Sequence, residues 1–194
     1  RLAKGAADTV LTSDGTDISW AAAGGGGGAM EFIASSGAIS SGTASVAFTQ
    51  FDSSKYDLYT FFIQSVVPVS DNVKLFAQLS ADGGSSYDTT NGRYHVGSTD
   101  AVGLEIVSGV GGASGELLGV SAEVHIFDIH STAKHTADHA TGLYQAAAFT
   151  SFIGKVQESA YYVNSTAAHN GIRFLYSSGN ISSGEIVMYG IVNS

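Results

Sequence analysis

The chain has 194 residues, with 17 Asp and Glu against eight Lys and Arg, a net charge of −9 at pH 7, and 44% hydrophobic but only 13% charged residues. An acidic chain with few, scattered basic residues suits neither nucleic acid nor an anionic membrane surface, and the absence of cysteine excludes disulfides, thiolate metal sites and cysteine nucleophiles. One proline, 25 glycines and many Ser, Thr, Val and Tyr point to β-sheet with short turns, in one domain plus an appendage.

Residues 1–29 read as that appendage, an extended N-terminal arm. Val10, Leu11, Ile18 and Trp20 flank a polar turn, Thr12-Ser13-Asp14-Gly15-Thr16-Asp17, whose Asp-Gly pair signals a tight turn. Five glycines, Gly24–Gly28, follow as a linker. An isolated hairpin is marginal in water, so Val10, Leu11, Ile18 and Trp20 are expected to attach to another copy or to a larger assembly. Val10-Leu11-Thr12-Ser13-Asp14-Gly15-Thr16 followed by Ser19-Trp20-Ala21 resembles an element of bacteriophage tail-fibre and other virion structural proteins. The resemblance implies a glycine-linked distal domain, here residues 30–194.

In that domain Met30 to Ala34 reads as a short strand, and Ala44 to Thr49 alternates with Val46 and Phe48 on one face. Leu58 to Val67, aromatic and β-branched, reads as a central strand ended by Pro68. Val73 to Leu79 alternates, with Val73, Leu75, Ala77 and Leu79 on one face and Lys74, Phe76 and Gln78 on the other. A turn over Asp82 to Ser86 leads to weaker strands at Tyr94 to Val96 and Val102 to Val107, then a loop over Gly109 to Gly115. Leu117 to Ile129 holds a strand with Val120, Ala122, Val124 and Ile126 on one face. His130 to Thr141 reads as polar connection, and Leu143 to Ile153 as a strand or a helical turn at its three alanines. Gln157 to Val163, Ile172 to Tyr176 and Glu185 to Val192 complete the strands. Roughly eight to eleven strands with Gly/Ser turns predict an all-β antiparallel sandwich; strand count does not fix strand order, and by analogy a jelly roll is the preferred topology. Gln78 to Asp88, Gly171 to Tyr176 and Gly184 to Ile191 resemble uncharacterised phage and prophage virion proteins, which implies a virion component and supplies no catalytic residue.

No catalytic constellation, metal site or cofactor is expected. His125, His130, His135 and His139 lie close in sequence, but no Glu stands between the last two as in a zincin motif. Asp71, Asp82, Asp88 and Asp100 lack the spacing of an EF-hand, and nothing selects Glu105 and Glu116 as a glycosidase pair. No nucleophile elbow and no phosphate loop are present. No apolar run reaches the ~20 residues of a membrane helix, and the N-terminus lacks a signal peptide's apolar stretch.

Exposed tyrosines are the best ligand candidates, because an aromatic face stacks on sugar C–H groups while Asn, Asp and Ser supply hydrogen bonds. Tyr87, Tyr94 and Asp88 are the residues expected to bind, with Tyr161 and Tyr162 as further aromatics. The expected protein is therefore non-enzymatic and located in the virion. Its sandwich adheres to a host-surface glycan and its arm meets other virion proteins. A homotrimer is implied by the phage fibres it resembles. A purely structural capsid-decoration or tail-assembly subunit and a glycan depolymerase are the alternatives.

Overall fold

A computed structural model describes residues 4–7, 9–13, 15–22, 29–96, 99–112, 116–147, 153–162 and 168–192. Asp14, the glycine linker Gly24–Gly28 and residues 163–167 lie outside the described residues. In chain order the strands are β1 (Thr9–Ser13), β2 (Ile18–Ala22), β3 (Met30–Ser35), β4 (Val46–Phe48), β5 (Tyr56–Pro68), β6 (Val73–Ser80) and β7 (Tyr94–Val96). They continue with β8 (Thr99–Ala101), β9 (Leu104–Val110), β10 (Val120–Phe127), β11 (Thr136–Gln145), β12 (Ile153–Tyr162), β13 (Gly171–Tyr176) and β14 (Ile181–Val192). No helix occurs among the described residues.

Two antiparallel sheets make the sandwich. The larger runs β3-β14-β5-β10-β11-β12-β7-β8 and the smaller β4-β13-β6-β9. The pairs β3·β14, β4·β13, β5·β10 and β6·β9 join first strand to last, second to second-last, and so inward to a central hairpin. That nesting is an antiparallel ribbon rolled over two sheets, which is a jelly roll. The β7–β8 hairpin is inserted between β6 and β9, and β11–β12 between β10 and β13; all four strands extend the larger sheet. The extension is not left bare, because β11 and β12 pack against β9 of the smaller sheet.

The core forms where the inward positions of the two sheets meet. Phe61 of β5 packs edge-on to Phe174 of β13 and Phe48 of β4, with centroids 4.9 and 5.4 Å apart. Tyr59, Leu75, Leu79, Leu104, Ile106, Ile126 and Ile172 fill the space around them, all fully buried. Each such side chain stabilises the fold by roughly 1.5–3 kcal/mol relative to exposure. A bulge keeps β5 in register with its neighbours. Ser65 turns to a φ of 46°, and the ladder with β14 shifts between Ser183 and Glu185, so Ile63 and Val66 both reach the core.

Several boundaries differ from the expectation. The polar His130 to Thr141 stretch contains most of β11; of the element expected at Leu143 to Ile153, the first three residues end β11 and Ile153 begins β12, while 148–152 lie outside the described residues. Small residues suffice in β11, since Ala140 is buried between two neighbouring strands. Phe76 and Gln78, on the face of β6 opposite Leu75 and Leu79, are buried as well. Gln78 accepts two hydrogen bonds from Arg173, at 3.0 and 2.7 Å, and donates one to the Val102 carbonyl. β14 begins at Ile181, ahead of the strand expected from Glu185.

β1 and β2 form the expected hairpin, with Leu11 opposite Trp20 and Ser13 opposite Ile18. Paired residues share a face, so Leu11, Ile18 and Trp20 lie together and Val10 lies on the other side. All four are exposed: Val10 45%, Leu11 52%, Ile18 59% and Trp20 42%. Among the described residues no ladder joins this hairpin to either sheet.

Candidate functional site

The end of the sandwich beyond Ser80 carries a cleft of about 320 Å³. The register explains its position. Ser80 faces Gly171 at the end of the smaller sheet, and Tyr94 faces Tyr162 at the end of the larger one. The β6–β7 connection spans the gap between these two ends and supplies most of the wall.

That connection is built by short polar side chains. Asp82 accepts hydrogen bonds from the Ser80 hydroxyl at 2.8 Å, the Ser86 N–H at 2.8 Å and the Ser86 hydroxyl at 2.6 Å. Gly83 and Gly84 turn at φ values of 69° and 86°, and their N–H groups donate to Asn170 Oδ1 and Ser80 Oγ. With three donors on one carboxylate, the Asp82 pKa is lowered to about 2 by Ser86 first and then Ser80. The wall is thus fixed before any ligand arrives.

Tyr87 and Asp88, two of the expected ligand residues, both line the cleft. The Arg173 guanidinium lies 4.4 Å over the Tyr87 ring, so at most one face of that ring is left for a ligand. Asp88 accepts from the Tyr162 hydroxyl at 2.6 Å and from the Thr90 N–H at 2.8 Å. Burial opposes its ionisation, but the Tyr162 and Thr90 hydrogen bonds and the Arg93 charge outweigh it, and its pKa lies below the ordinary carboxylate value.

Tyr94, the third expected residue, is corrected by the structure. It is fully buried. Its hydroxyl accepts from the Leu79 N–H and donates to the Asp88 carbonyl, both at 3.0 Å. Tyr94 therefore fastens the Asp88 backbone to β6 from below and presents no face to a ligand. Position beside a loop did not reveal that its side chain points inward.

Three further residues complete the wall. Tyr162 is almost wholly buried apart from its reach to Asp88, and burial followed by that hydrogen bond pushes its phenol up to about 12. Arg93 Nη1 stands 3.5 Å from the Tyr162 hydroxyl and 3.6 Å from Asp88 Oδ2. His169 is 4% exposed, stands edge-on to Tyr162 at 4.8 Å, and its Nδ1 has no hydrogen-bond partner among the described residues. Burial holds its pKa below the ordinary imidazole value, against the pull of Asp88. Arg93 and His169 gave no sequence signal, because the fold brings them to Asp88 from a strand start and a distant loop.

The other candidates disperse. Tyr161 is on the outer face of β12, stacked on His95 at 5.4 Å. His125 and His139 face each other across β10 and β11, but each bonds a hydroxyl, Thr60 and Ser159, and no group of three metal-ligating side chains forms among the described residues. Glu105 pairs with Lys74 at 2.8 Å, whereas Glu116 is buried beneath Gly111, so the two share no cleft. No protein-family model matches the chain, and no curated protein matches it in sequence.

Proposed function

We propose that this protein is a non-enzymatic bacteriophage virion component, a fibre or tip subunit whose jelly roll adheres to a host-surface glycan through the Tyr87–Asp88 cleft. The observation that carries the reading is the composition of that cleft. It combines a half-buried aromatic ring, an ionised carboxylate, a guanidinium and a preformed loop, the mixture that sugar hydroxyls and C–H faces require. The virion assignment rests on the resemblance of the Val10 to Ala21 stretch and of the strands at the C-terminal end. The exposed Leu11, Ile18 and Trp20 of the hairpin supply an attachment surface to other virion proteins or to further copies, with a homotrimer as the assembly. Three linked sites would raise weak single-site binding by roughly 10²–10⁴.

A depolymerase fits less well. Glycoside hydrolysis uses two carboxylates across the scissile bond. Among the described residues lining the cleft, Asp88 is the one carboxylate. The deciding experiment is an oligosaccharide array probed with the full chain, coupled to a reducing-end assay. Binding without released ends is the expected result. Released ends would make the protein an enzyme, and neither signal would make it a purely structural decoration or assembly subunit.

A further inference from the structure

We infer that the cleft is built for a neutral sugar, one hydroxyl of which bridges Asp88 Oδ2 and Arg93 Nη1. This rests on the glycan-adhesion reading and specifies its ligand class. At 3.6 Å the guanidinium is too far from Oδ2 for a direct hydrogen bond, and at 3.5 Å it is at the limit for the Tyr162 hydroxyl. An oxygen beside the pair, about 2.8 Å from each atom, bridges a separation of that width. A sugar hydroxyl meets both sides, because it donates to a carboxylate and accepts from a guanidinium at once. The Tyr162 hydroxyl and the Thr90 N–H already hold the carboxylate in place, so the acceptor is oriented before the ligand binds.

Charge selects the ligand class. Asp88 is ionised at neutral pH and neutralises Arg93, while the other nearby cation, Arg173, bonds the Gln78 amide and is not among the residues lining the cleft. An anionic sugar would set its own charge against Asp88 within a chain of net charge −9. Arg173 covers one face of the Tyr87 ring, so a neutral sugar ring would set its C–H face on the other.

The test uses the full chain on an array of neutral hexose and N-acetylhexosamine oligosaccharides beside uronate, sialylated and phosphorylated ones. Wild type, Asp88→Asn and Arg93→Gln are compared, with thermal melts as the check on folding. Neutral glycans should bind, and each variant should weaken that binding at least about tenfold. Arg93 is 40% exposed at its side chain and makes no short contact, so Arg93→Gln tests the bridge even if Asp88→Asn loosens the loop. Binding confined to anionic glycans, or neutral binding untouched by Arg93→Gln, would overturn the bridge and leave adhesion standing. No binding to any glycan would overturn both.

Discussion

Asp82 shows how a fully exposed carboxylate can organise a loop. Its lowered pKa, about 2, comes from the Ser86 and Ser80 donors, which exist only in the folded chain. The stabilisation is therefore present above the unfolded carboxylate value of about 3.9, and it is lost as pH falls toward about 2. Asp82→Asn should flatten the pH dependence of stability across that window in denaturant titrations; an unchanged slope would contradict the assignment. His130 and His169 act at higher pH. Burial first of all holds both below the ordinary imidazole value, so the unfolded chain takes up protons before the folded one. Stability should fall as pH drops through about 6.5, and the thermal midpoint of His130→Asn/His169→Asn should depend less on pH there. Tyr176 offers a neutral comparison. Its buried hydroxyl donates to the Val66 carbonyl at 2.7 Å, and Tyr176→Phe should cost about 1–3 kcal/mol in chemical denaturation by leaving that carbonyl without its donor.

At the scale of elements, the bulge of β5 and β14 depends on a glycine. Gly184 has a φ of 122°, and a Cβ there would stand 2.7 Å from the Ser65 carbonyl oxygen. Gly184→Ala should therefore destabilise the sandwich by about 1–3 kcal/mol, whereas Gly37→Ala, with a φ of 62° and open space around it, should cost less. The long apolar strands were legible because their residue types and alternation report burial directly: Phe61 and Ile63 in the aromatic, β-branched run and Val124 and Ile126 on the apolar face of β10 are all buried. β11 was not legible. Its inward residues include Thr136, Asp138 and Ala140, which suit a strand only once β10 and β12 flank it. The cleft was half legible for a related reason. Tyr87 and Asp88 announce themselves by loop chemistry, but whether Tyr94 faces in or out is decided by pairing with β12, and His169 joins them only through the fold.

For the whole molecule, the nested ribbon leaves the two proposed tasks, adhesion and attachment, to separate parts of the chain. The jelly roll closes its own core and fixes a cleft at one end, while the N-terminal hairpin keeps its apolar face exposed. Among the described residues no ladder joins the hairpin to the sandwich, so replacing Leu11, Ile18 and Trp20 should leave the thermal midpoint of the sandwich unchanged and alter assembly alone. The most direct measurement is therefore the mass in solution, by light scattering, of the full chain and of its Leu11→Ser/Ile18→Ser/Trp20→Ser variant. A trimeric wild type and a monomeric variant with the same melting temperature are expected. Equal masses for the two would contradict assembly through the hairpin and move any interface to the sandwich itself.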